Sequence, residues 1–286
     1  MVGRLRPHSP LSVVLACVFA CFACDEGSGP PADEFDSDLP GFEASVLAWQ
    51  LSWAEDAGVE GDVWTTTTDL GYELRIQGAW VGNWGATLIP CVDPSEGGDA
   101  RSLEHEFGVA SRGQIAEGHG SGEDDPSAIV VDRVESLIAQ TSVEIEGREL
   151  DSPTRYCEAH FVLAGVSSFS SGYDEGEAEL AALETDLGIE AELEGASLLI
   201  VGEWRAPGTS EFEPFMLRSE QAYGRFVEIV AGESGTEATA DGVSTFSLER
   251  GVEGLFDGLE LSTLAPEDAA WAVLRQFAEA ASISHS

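Results

Sequence analysis

The chain has 286 residues, 43% of them hydrophobic, and a net charge of −40 from 53 acidic against 13 basic residues, all arginine. Such a chain repels phosphate backbones, which argues against a nucleic-acid partner. The hydrophobic share suffices for a folded core, and acidic residues spread along the whole chain read as a solvated surface.

Arg4 and Arg6 precede an apolar run over residues 11–23, broken only by Ser12. A membrane-spanning helix needs roughly 20 apolar residues, so this run is too short to span and has the length of a signal-peptide core. Residues 1–23 therefore predict a lipoprotein signal peptide, with a cysteine at the cut. Cys17 follows Val14-Leu15-Ala16 and fits an aliphatic–small–cysteine box best, but it leaves too little of the apolar run before it. Cys24 is the expected lipidation site, with Ala23 before it and Asp25-Glu26 directly after; Cys21 is the alternative. Two or more acyl chains on that cysteine would hold the protein stably on a membrane. The expected location is exported, anchored to the outer or inner membrane, with the body in the periplasm or at the cell surface.

Residues 24–41 are rich in Pro, Gly, Ser and acid, and predict a disordered acidic stalk. Residues 42–286 are expected to form one domain. Its first strand is 46–53, where Leu47, Trp49, Leu51 and Trp53 share a face. Period-two patterns follow at 72–76 and 86–91. Residues 92–126 read as a long polar loop, functional or disordered. Residues 129–140 fit a strand or a helix equally. The clearest strand is 156–166, with Cys157, Ala159, Phe161 and Leu163 on one face and Tyr156, Glu158 and His160 on the other. Residues 172–188 read as a surface loop with a helical turn. Strands are expected at 197–204 and 243–248, with 212–218 and 225–230 as a pair. Residues 266–282 predict a helix: Pro266 opens it, Glu267 and Asp268 suit its positive end, and Ala270, Leu274, Phe277 and Ala281 form an apolar stripe. Many short strands with Gly/Asp-rich turns imply a mainly β fold, an antiparallel β-sandwich with one C-terminal α-helix.

Beyond the tether, two cysteines remain. In an exported chain, Cys91 and Cys157 read as a disulfide closing about 67 residues, worth roughly 4 kcal/mol in the chain-entropy model.

A metal site is the best candidate for chemistry. His119 lies in Gly118-His119-Gly120-Ser121-Gly122, and His160 lies on the strand that begins at the disulfide. If that bridge joins the strand before the loop to the strand after it, His119 and His160 approach each other, with His105 in the same loop. Imidazoles with a carboxylate suit copper or zinc. Residues 93–99 and Glu123-Asp124-Asp125 offer hard oxygens for calcium but lack the order of a calcium loop. Trp80 and Trp84 suggest a stacking platform for a sugar or an apolar ligand. The sequence contains no Gly-x-Ser-x-Gly elbow, phosphate-cradling loop or His-Glu-x-x-His motif.

Asp69-Leu70-Gly71-Tyr72, Leu88-Ile89-Pro90-Cys91, Gly118-His119-Gly120, Tyr156-Cys157 and Leu255-Phe256-Asp257-Gly258, followed by the terminal helix, resemble a set of uncharacterised lipoproteins from myxobacteria-like bacteria. The resemblance covers most of the chain after the signal and implies a β-rich exported domain, with no activity attached. The strand ending in Tyr-Cys is more distantly similar to periplasmic copper-binding β-sandwich proteins, whose ligand motif is not matched. The expectation is a membrane-tethered, non-enzymatic module of the cell envelope that binds a metal, a small ligand or a protein. The alternatives are an exported metal-dependent enzyme using His119 and His160, and a purely structural envelope protein.

Overall fold

A computed structural model describes residues 44–54, 59–60, 63–91, 128–154, 156–231 and 243–285. The chain divides into two units, Met1–Leu39 and Pro40–Ser286, and every described residue belongs to the second. The expected signal peptide and stalk lie outside the described residues.

The body is built on one long strand. β1 (Ala44–Trp53), β2 (Val59–Glu60) and β3 (Val63–Thr67) lead into β4 (Glu73–Pro90), which runs for 18 residues. The two period-two patterns at 72–76 and 86–91 are the ends of this single strand. Leu74 and Ile76 face the main core, then Ala79 and Val81, then Ala86 and Leu88. The parity changes twice because the ladders slip between Ile76 and Gly78 and again between Asn83 and Gly85. Each bulge turns the next residues onto the other face, which hides a continuous strand from a period-two reading.

β4 exchanges neighbours along its length. One edge pairs with β3 and then β5 (Ala128–Ser136); the other pairs with β8 (Leu198–Arg205) and then β7 (Tyr156–Leu163). The handover falls at Gly82, whose N–H donates to Ser197 O at 3.0 Å while its carbonyl accepts from Ala164 N–H at 3.1 Å. A Cβ there would stand 2.1 Å from Ala164 O, so only glycine lets the two chain ends close on the spine.

From β4 the sheet continues through β7, β10 (Tyr223–Ala231), β12 (Ser282–His285), β11 (Val243–Arg250) and β1 to β6 (Val143–Thr154). β9 (Glu213–Ser219) pairs with β8. The β1–β11 and β10–β12 pairs are parallel; the others are antiparallel. The mainly β architecture with a C-terminal helix is therefore present, as one curled mixed sheet instead of two antiparallel layers. The expected pairing of 212–218 with 225–230 is replaced: β9 joins β8, and β10 joins β7 and β12.

There are two helices among the described residues. α1 (Tyr173–Leu187) occupies the stretch expected to be mostly loop. Its Ala, Leu and Glu residues favour helix, Leu180, Leu183 and Leu187 recur at helical spacing, and Gly188 ends it at φ 66° with its N–H on Glu184 O. α2 (Pro266–Glu279) is the predicted terminal helix, ending before the expected residue 282 because Ser282–His285 form β12; Ala270, Leu274 and Phe277 of its stripe are buried, as is Ala281 just past its end.

The helices cover opposite faces. α2 lies against β8, β9 and β10 and shares the main core with Trp49, Leu51, Ile76, Phe161, Phe246 and Leu248. α1 packs over Trp80, Val134, Leu199 and Val201. In β8, Leu198 and Ile200 face one core and Leu199 and Val201 the other. That is why residues 197–202 read as a continuous apolar run instead of an alternation.

Candidate functional site

Cys91 at the end of β4 and Cys157 in β7 form a disulfide with Cα atoms 5.0 Å apart. The bridge is short because β4 and β7 are antiparallel neighbours, with Pro90 opposite Tyr156. It links the two strands at one end of the sheet. Cys24, Cys21, His105, His119 and the calcium candidates at 93–99 and 123–125 lie outside the described residues.

His160 lies on β7, opposite Thr87 on one side and Phe226 on the other. Its ring stacks on Phe226, with centroids 4.6 Å apart and planes 18° apart. Gly224 leaves room for that ring: a Cβ there would meet His160 Nε2 at 2.6 Å. Among the described residues, no group of three or more His, Cys, Asp or Glu is placed to hold a metal ion.

On the same strand, Ala159, Phe161 and Leu163 face the core as expected, but Tyr156 is also buried and meets Phe246 edge-on. The β4–β7 ladder slips between Ile89 and Pro90, which turns Tyr156 inward. The Trp80–Trp84 platform does not form. Trp80 is 2% exposed beneath α1, and its Nε1 donates to Glu179 Oε2 at 3.3 Å.

The most unusual chemistry lies inside the curl, in residues that no sequence motif singles out. β5 directs Arg133 and Glu135 to the same side as Leu137, and β4 contributes Asn83. From the facing wall, β11 ends in Arg250. The Glu135 and Arg250 side chains are 4% and 0% exposed, and Arg250 Nη1 donates to Glu135 Oε2 in a buried ion pair. Asn83 Nδ2 donates to the same carboxylate oxygen at 3.5 Å. Arg133 Nε lies 3.5 Å from the other, Glu135 Oε1, as an ion pair without the alignment of a hydrogen bond. Arg250 Nε reaches Ser52 O at 3.4 Å, and its guanidinium lies 4.4 Å over the Trp53 ring. Burial, and then the Arg133 charge, push the Arg250 pKa down to about 9, so the group remains cationic at neutral pH. Burial also lowers Arg133.

This cluster draws β4, β5, β1 and β11 together across the hollow of the sheet. A weak signal for it exists in the sequence. Phe246, Leu248 and Arg250 occupy alternate positions, so strand periodicity aims Arg250 at the core with the two apolar residues. Nothing in the sequence names Glu135 as its partner, 115 residues away.

A second feature is a shallow groove of about 360 Å³ at the β8–β9 hairpin, lined by Trp204, Arg205, Thr209, Ser210, Glu211 and Glu213. Beside it, Phe212 receives the guanidinium of Arg75 at 3.8 Å and that of Arg205 at 4.8 Å.

The chain matches no protein-family model, no curated protein and no solved structure.

Proposed function

We propose that this protein is an exported lipoprotein of the cell envelope, tethered through Cys24 or alternatively Cys21, whose β body serves as a binding module. The observation that carries the exported part is the Cys91–Cys157 disulfide. Structural disulfides persist in oxidising compartments and are rare in the cytosol. The signal-like residues 1–23 and the acidic stretch behind them support the same address. The net charge of −40 suits a body held off anionic lipid by its own repulsion, with acyl chains supplying the attachment.

Mass spectrometry of the membrane-extracted protein tests the tether. The expected N-terminus is an acylated Cys24. Cys24→Ala then leaves an unprocessed, unacylated chain. An acylated Cys21 selects the alternative, and a mature protein without acyl chains overturns the reading.

The ligand proposed from the sequence is copper or zinc, on His105, His119 and His160. The flat seat of His160 against Phe226 holds its imidazole three residues along β7 from the disulfide. Calorimetric titration with either ion is expected to show binding that His160→Ala weakens. Absence of heat removes the metal from the proposal and leaves the tether untouched.

A further inference from the structure

We propose that the cluster of Asn83, Arg133, Glu135 and Arg250 is a binding site for a small monovalent anion, a halide or a formate-sized carboxylate, held by the guanidinium donors that Glu135 does not use. The first argument is charge. Two arginines share one carboxylate, each leaning on a different oxygen of Glu135, so the cluster carries an excess of one positive charge. Arg250 is 1% exposed and Glu135 5% exposed, so water screens this excess poorly. The Arg133 charge acts unfavourably on Arg250, which is the interaction that a bound anion would reverse.

The second argument is the state of the individual atoms. Arg250 Nη2 and Arg133 Nε are buried donors without a hydrogen-bond partner, and Asn83 Oδ1 and Glu135 Oε1 are buried acceptors without one. Buried polar groups are rarely left this way, and several in one cluster call for water or an ion to complete them. An anion satisfies the two donors, and water carried in with it satisfies the two acceptors, Asn83 Oδ1 and Glu135 Oε1. The Trp53 ring covers one face of the Arg250 guanidinium, and Arg133, 22% exposed, is the member of the cluster nearest to solvent. In a chain with net charge −40, an anion is repelled almost everywhere, and this local positive excess is what makes binding possible. The proposal does not depend on the tether or on a metal.

Melting temperature is measured on the mature protein at pH 7 and constant ionic strength, in sodium gluconate, chloride or formate. Gluconate is too bulky to enter and serves as the reference. Chloride and formate are expected to raise the melting temperature with saturation, as a ligand of the native state does. In Arg133→Gln, the half-saturating concentration is expected to rise at least about tenfold, and Arg133→Lys restores part of the effect. Chloride-35 line broadening gives a second readout on the unaltered protein, with formate expected to displace the bound chloride. Equal melting in all three salts overturns the proposal and means that the cluster holds water alone. So does an anion effect unchanged in Arg133→Gln, or broadening that formate does not reverse.

Discussion

Asp69 and Asp257 cap each other's loops. Asp257 Oδ1 accepts from the Asp69 N–H at 3.1 Å, and Asp69 Oδ1 accepts from the Gly258 N–H at 2.7 Å. The two aspartates are 188 residues apart in sequence. They join the turn before β4 to the turn before α2, and Gln276 of α2 adds a bond from its Nε2 to Asp257 O at 3.0 Å. Asp69→Ala and Asp257→Ala are each expected to lower stability by about 1 kcal/mol, the usual worth of such a hydrogen bond. The double variant is expected to lose less than the sum, because both bonds act on the same pair of loops. Asp69→Asn keeps an acceptor oxygen and is expected to stay near the unaltered value. Urea unfolding of the four variants beside the unaltered protein measures all of this.

The Glu135–Arg250 pair behaves differently when broken than when replaced. Arg250→Ala leaves a buried carboxylate without its main cation and is expected to cost about 3–5 kcal/mol. Exchanging both partners for Met removes these two charges together but leaves Arg133 without its carboxylate, so it is expected to recover only part of that loss. Chemical denaturation of the single and double variants gives the comparison. A double variant as unstable as Arg250→Ala would show that packing, not charge, governs the site.

Gly82 tests the handover between β7 and β8. A methyl group added at this position would stand 2.1 Å from Ala164 O and 2.7 Å from Val166 Cγ1, so Gly82→Ala must push one strand end off the spine. The expected loss is at least about 2 kcal/mol. Gly188→Ala meets nothing within 4 Å and is strained only by its positive φ of 66°, so its expected loss is smaller, about 1 kcal/mol. Thermal melts of the two variants side by side rank the effects.

His285 gives the fold a defined response to acid. The ring is buried beside Phe246 at 5.0 Å, and desolvation holds its pKa below the ordinary 6.5. Protons therefore bind the unfolded chain first as pH falls through 6.5, and the contribution of His285 to stability is present above that value and declines below it. Urea midpoints measured between pH 7.5 and about 5 are expected to fall more steeply for the unaltered protein than for His285→Gln. Equal slopes would mean that other groups carry the acid response.

How much of this is legible in the sequence depends on whether the signal is local. The stripe of α2 is readable because Ala270, Leu274 and Phe277 repeat at helical spacing over residues close in sequence. The disulfide is readable from counting: once a cysteine is assigned to the tether, Cys91 and Cys157 remain as a pair. α1 is easily underestimated because most of its surface is acidic, and its apolar side rests on three leucines. β4 reads as two strands because its bulges invert the alternation that a strand reading depends on.

By itself, the sequence determined composition and local geometry: a mainly β chain, an amphipathic final helix, a pair of cysteines and a strongly acidic surface. These follow from periodicity and residue chemistry over a few neighbours. Only the tertiary structure decided which strands meet, that the sheet curls as one mixed layer, and that Glu135 faces Arg250 while Asp69 faces Asp257. Those relations span 115 and 188 residues, and they arise from register, bulges and burial acting together. Buried charge is the clearest case: an arginine and a glutamate in sequence are ordinary surface residues until the fold removes water from around them.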